Sequence, residues 1–111
     1  MDLTHRNLGK IDIIKLSGRL VMADAPDVRQ KLLGIIDEDH NHVILDLSGV
    51  DFMDSIGLSV LISVFKAARV RGGDVLLLNL TPAVRSLIEL TRLQQIFEIF
   101  DDETSAIARL S

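Results

Sequence analysis

Leu45-Asp46-Leu47-Ser48-Gly49-Val50-Asp51-Phe52-Met53-Asp54-Ser55-Ile56-Gly57-Leu58 is the stretch on which the fold turns. With Val43 and Ile44 before it, its first part is an apolar run that reads as a buried strand ending at Ser48-Gly49. Asp54-Ser55 then opens a helix that runs to about Arg71 and closes at Gly72-Gly73. Leu58, Leu61, Ile62, Phe65 and Ala68 form its apolar face, and Val60, Val64 and Ala67 widen it. Ser55, Ser59, Ser63 and Lys66 leave only a narrow polar stripe, so the helix is expected to be largely buried.

Upstream, the β-branched run Ile11–Leu16 reads as a strand that stops at Ser17-Gly18. Met1–His5 is expected to pair with it through Arg6–Lys10 as a short edge hairpin. Pro26 fits a first helical turn with Asp24 as its cap, and Val28, Leu32, Ile35 and Ile36 follow at helical spacing. Downstream, Val75–Leu80 is apolar but for Asn79 and reads as an inner parallel strand. Thr81-Pro82 caps and opens a helix with Val84, Leu87, Ile88 and Thr91 inward. Ile96–Phe100 reads as a last strand, and Asp101-Asp102-Glu103 places acids at the positive end of a last helix. The order β-β-α-β-α-β-α-β-α implies an α/β domain with a mixed, mainly parallel sheet and an antiparallel piece at its start.

The 111 residues are the size of one domain, here taken as 1–111, and neither a linker nor a repeat interrupts them. Hydrophobic residues make up 48% and charged residues 25%, a globular composition. The absence of cysteine excludes disulfides and thiolate metal sites. A net charge of -4, no basic cluster and no Trp or Tyr argue against a nucleic-acid partner. No apolar run is long enough for a membrane span and Met1–Lys10 does not read as a signal peptide, so a cytoplasmic protein is expected. No cofactor or metal motif is present.

Chemistry gathers where the central strand gives way to its helix. Unpaired N–H groups and the helix dipole favour negative charge there, so a phosphate on Ser55 would be accommodated. Gly57 allows a close backbone approach, by a partner or by the fold itself. The plain alternative is that Asp54 or Ser55 is a cap and nothing more.

Leu16-Ser17-Gly18-Arg19-Leu20, Val43–Ser48, Phe52-Met53-Asp54-Ser55-Ile56-Gly57-Leu58 and Thr81–Arg85 together resemble the STAS-domain family, in particular its stand-alone bacterial anti-sigma-factor antagonists. The resemblance covers nearly the whole chain. It implies the STAS-like fold, an α/β arrangement of about four to five strands packed with about four helices. It also implies a binding protein controlled by partner switching. Ser55 would be phosphorylated by a partner that is both anti-sigma factor and serine kinase, and a PP2C-type phosphatase would reverse the change. Asp54, Ser55, Ile56, Gly57, Leu58 and Ser59 would form the docking surface, joined by Val21, Met22 and Asp24. The family often carries Asp at the position of Val21, and Asp24 stands nearby. That departure admits a second reading, a STAS adaptor or scaffold serving a non-sigma output without modification of Ser55.

Enzymes fit less well. Asp54-Ser55-Ile56 lacks the glycine two residues before the serine that a nucleophile elbow wants, and His5, His40 and His42 are isolated in sequence. A phospho-aspartate receiver would need paired acids where Ser17-Gly18 stands and a lysine where Asp101-Asp102 stands, which leaves Asp46 a structural residue at a strand end.

Overall fold

Apolar runs bounded by turn residues become five strands of one sheet in a computed structural model that describes residues 1–111. In chain order the elements are β1 (Asp2–Leu8), β2 (Ile11–Leu20), α1 (Ala25–Ile35), β3 (His42–Met53), α2 (Ser55–Val70), β4 (Asp74–Leu78), α3 (Pro82–Leu90), a 3-10 turn (Leu93–Gln95), β5 (Ile99–Phe100) and α4 (Glu103–Leu110). The strands lie in the order β1-β2-β3-β4-β5, with β1 antiparallel to β2 and every later pair parallel. Each crossover steps the same way along the sheet. Right-handed crossovers then deliver α1, α2 and α3 to one face.

That face holds the main core. Ile14, Leu16, Val43, Leu45, Leu47, Val75 and Leu77 pack against Val28 and Leu32 of α1, Val60, Leu61 and Val64 of α2, and Val84 and Ile88 of α3. The opposite face presents Ile11, Ile13, Ile44, Leu76 and Leu78, which α4 covers through Ala106. Burial on both faces explains why β4 is apolar at every position from Val75 to Leu78. Each large aliphatic side chain buried in this way stabilises the fold by about 1.5–3 kcal/mol. In α2 the centre of the packed face is Gly57, Val60, Leu61, Val64 and Ala68. Ile62, Phe65 and Ala67 are only half-buried, so the apolar stripe is rotated from the one expected. The ring of Phe65 meets Phe97 edge-on at 5.0 Å.

Several boundaries differ from the sequence reading. The first hairpin turns on Gly9-Lys10 alone, with Gly9 at φ 65°, and Arg6, Asn7 and Leu8 belong to β1. Neither Ser17-Gly18 nor Ser48-Gly49 ends its strand. The pairing of β2 with β3 shifts register between Lys15 and Ser17 and again between Gly18 and Arg19, then continues to Leu20 and Met53. Small residues that usually mark turns here make a bulge, with Gly18 at φ 116°. Asp46 therefore lies inside β3, where its carboxylate accepts the Ser48 N–H at 3.0 Å. The last strand is only Ile99–Phe100, because Ile96 closes the 3-10 turn and Phe97 enters the core. Thr91 is exposed and bonds back to Leu87 within α3. Thr81 stands at the start of α3 without capping it, and its hydroxyl donates instead to the Val50 carbonyl at 2.7 Å. Asp24 likewise precedes α1 without a side-chain cap.

The extension of β2 and β3 shapes the molecule. β3 pairs with β4 only over His42–Asp46 and β1 pairs with β2 only as far as Ser17, so past Ser17 and Gly49 the strands β2 and β3 run on as a two-stranded ribbon. The β2–α1 connection and the start of α2 both sit at the ribbon's tip.

Candidate functional site

At that tip the chain leaves β3 through Met53 and enters α2 within two residues. Asp54 organises the passage. Its backbone N–H donates to the Leu20 carbonyl at 3.3 Å, tying it to the end of β2. One carboxylate oxygen accepts the Gly57 N–H at 2.7 Å, which caps the helix. The other accepts the Met22 N–H at 2.9 Å, thirty-two residues away in sequence. One side chain therefore fixes the β2–α1 loop against the first turn of α2. These N–H groups, Gly57 first and then Met22 and Ile56, hold the Asp54 carboxyl below its ordinary pKa.

Gly57 completes the join. It is buried, and a methyl group on its Cα would run into the Leu20 carbonyl. The glycine is there to let helix and strand end touch.

Ser55 is the first residue of α2, and it is exposed. Its position puts it at the positive end of the helix dipole, where added negative charge is favoured. Around it stand apolar side chains open to solvent: Met22 is 68% exposed, Phe52 43% and Ile56 41%. The Arg19 guanidinium lies 5.0 Å over the Phe52 ring and holds it in place. Exposed methionine and aromatic side chains next to one modifiable hydroxyl make a surface suited to a protein partner.

The structure brings most of the expected residues together and sorts them by depth. Ser55, Ile56 and Met22 present side chains to solvent, while Ser59 and Val21 are half-buried. Val21 turns the loop by accepting the Asp24 and Ala25 N–H groups on its carbonyl, and Asp24 sits half-buried beneath that turn. Gly57 and Leu58 are buried and form the floor of the surface, not its face. Phe52 belongs to the patch although its quoted motif gave it no role. The only available signal was an aromatic residue just before the Asp-Ser step.

No histidine stands near Ser55. His5 and His40 both bond Asp12 near the start of β2, and His42 opens β3 at the far end of the sheet. No group of His, Asp or Glu side chains is arranged to hold a metal ion. No helix is long and apolar enough to cross a membrane.

Comparison with known proteins adds four findings. The STAS domain sequence model matches residues 4–106. The chain is 31% identical over 99 residues to the anti-sigma F factor antagonist of Paenibacillus polymyxa, covering 88% of this chain and 85% of that protein. Among solved structures, the anti-sigma factor antagonist SpoIIAA in its unphosphorylated form superposes with a TM-score of 0.84 at 23% identity, over 97% of this chain and 95% of the other. The phosphorylated form of the Bacillus cell fate determinant SpoIIAA gives a TM-score of 0.77 at 21% identity, over 99% and 100%. At these identities the two structures speak to the fold.

Proposed function

The chain belongs to the STAS domain family, and from that premise we propose that it is an anti-sigma-factor antagonist whose binding face is switched by phosphorylation of Ser55. The observation that carries this reading is the exposed Ser55 at the first position of α2, set among the open side chains of Met22, Phe52 and Ile56. The naming of the relative as an antagonist describes a binding regulator, not an enzyme. The partner is an anti-sigma factor that is also a serine kinase, acting in the cytoplasm. Unphosphorylated, the face docks on that partner through the apolar patch. The kinase then passes the γ-phosphoryl group of ATP to the Ser55 oxygen, the hydroxyl proton goes to a base of the kinase, and ADP leaves. A PP2C-type phosphatase hydrolyses the phosphate and restores the binding form.

Phosphate on Ser55 adds about -1.5 to -2 charges and three acceptor oxygens. At a helix start the fold tolerates that charge, so its cost falls on the interface. A 100-fold loss of affinity needs only about 2.7 kcal/mol, a reasonable penalty for a charged group forced against an apolar surface. The backbone therefore stays as it is and the partner leaves.

Incubation with the kinase partner and ATP, read by intact mass, tests the modification. One added phosphate that vanishes in Ser55→Ala is the expected result. Ser55→Ala keeps partner binding and Ser55→Asp loses most of it. No mass gain with binding intact favours the adaptor reading, for which the apolar Val21 at a position where the family often has Asp is the supporting observation.

A further inference from the structure

Arg29 of α1 is half-buried against α2 and enters no ion pair. One terminal nitrogen donates to the Ser59 hydroxyl at 3.2 Å, a neutral partner. Its Nε is shut off from solvent and finds no acceptor in the protein. An arginine Nε–H shut off from water without an acceptor is costly, and the fork of an arginine is shaped for a carboxylate or a phosphate. Six of the other eleven cations are committed, Arg6 to Glu103, Lys31 to Asp27, Arg69 to Asp74, Arg71 to Glu38, Arg85 to Asp101 and Arg109 to Glu98, while Lys10, Lys15, Arg19, Lys66 and Arg92 enter no ion pair.

Ser59 follows Ser55 by four residues, so both lie on one face of α2 a single turn apart. Side chains on a helix lean toward its N-terminus, and the Ser59 hydroxyl that accepts from Arg29 itself donates to the Ile56 carbonyl in the turn of Ser55. We propose that Arg29 is the internal counter-ion for a phosphate on Ser55, waiting on Ser59 in the unmodified protein and turning to the phosphate when it arrives. This rests on the reading of Ser55 as a phosphorylation site, and it adds a role inside the fold. Part of the new charge is neutralised from beneath. The modified helix start is thereby fixed in one geometry, and α1 becomes sensitive to the state of α2. Arg29 is a positioning residue and touches no partner.

A protein carrying phosphoserine at position 55, installed during synthesis without any kinase, gives the direct test. The phosphorus resonance is followed through the second ionisation, near pH 6 for a free phosphoserine. A cation within reach lowers that midpoint, so Arg29→Gln is expected to raise it by about one unit relative to the unsubstituted phosphoprotein. Arg29→Lys, which keeps charge but not the fork, falls between. The neighbouring acids Asp54 and Asp24 oppose ionisation equally in all these proteins. Arg19→Gln removes the other cation at this end, which covers Phe52, and leaves the midpoint where it was. Equal midpoints in the unsubstituted protein and Arg29→Gln overturn the proposal. If Arg29→Gln does not fold, the Arg29 Nε–H resonance of the unsubstituted protein decides: it shifts on phosphorylation if the proposal holds and stays put if it fails. The kinase experiment judges Ser55 separately. A midpoint shift without enzymatic phosphorylation sinks the switch and leaves the Arg29 geometry standing.

Discussion

The two ends of the sheet solve one problem with the same pair of residue types and reach opposite results. At the carboxyl ends of β2 and β3, Asp54 spans from Met22 to Gly57, and Gly57 presses on the Leu20 carbonyl. At the amino ends, Asp12 spans from His5, at 2.7 Å, to His40, at 3.0 Å, with Asn7 at 3.1 Å. There Gly73 presses on the Asn41 carbonyl. Both carboxylates pin segments far apart in sequence. Asp54 takes two backbone N–H groups, which never titrate, and leaves apolar side chains in the open around Ser55. Asp12 is wholly buried and takes only side chains, so its end answers to pH through His40. An aspartate that binds backbone builds a standing surface, and one that binds histidines builds a lock.

The contact glycines should give the largest effects. Gly57→Ala and Gly73→Ala each force a methyl group into a backbone carbonyl and are expected to cost about 3 kcal/mol or more in urea unfolding. If only one of them destabilises, the likeness of the two ends is broken. The aspartates come next. Asp12→Ala leaves its three side-chain donors without their buried acceptor and should cost about 2 kcal/mol. Asp54→Ala should lower Tm by only a few degrees, as the loss of a cap does. It should speed hydrogen exchange at Met22 and Gly57, amides that Asp12→Ala leaves protected. Comparable exchange in both variants would mean that the two staples act as one.

The smallest effect is one of pH, and around neutrality it belongs to the amino end. The hydrogen bond to Asp12, then its charge, raises the His40 pKa above 6.5. Burial pushes the Asp12 carboxyl up, but the hydrogen bonds from His5, Asn7 and His40 outweigh it and hold the group below 3.8. The His40–Asp12 pair therefore stabilises the fold fully below the unfolded value for histidine, and that contribution fades as pH rises through the raised folded value. The Asp12 contribution is present above 3.8 and is lost as pH falls through its lowered folded value. The stability lost in His40→Gln should accordingly be greater at pH 5.5 than at pH 9, as measured by urea midpoints; a pH-independent difference would remove the lock.

Much of this was legible in the chain alone because it is local. The run Val75–Leu80 announced an inner strand, which in the structure ends at Leu78, and the step from Asp54 to Ser55 announced a helix start, since strand burial and capping act over a few residues. Asp24 and Thr81 show the limit of such reading. Both have the right residue type at a helix start, yet neither side chain caps, and the Thr81 hydroxyl is taken by Val50 from another strand. The sequence by itself determined the order of strands and helices, the mainly parallel sheet and the place of Ser55 at the mouth of α2, all consequences of periodicity and of which residues can begin or end an element. Only the tertiary structure decided that β2 and β3 run on past their Ser-Gly pairs, that Met22, Phe52 and Ile56 share one patch, that Asp12 is locked by two histidines, and that Arg29 lies beside Ser59 without a counter-charge. Those depend on strand register and on helices packed side by side, where residues distant in the chain meet and no short stretch of sequence records the encounter.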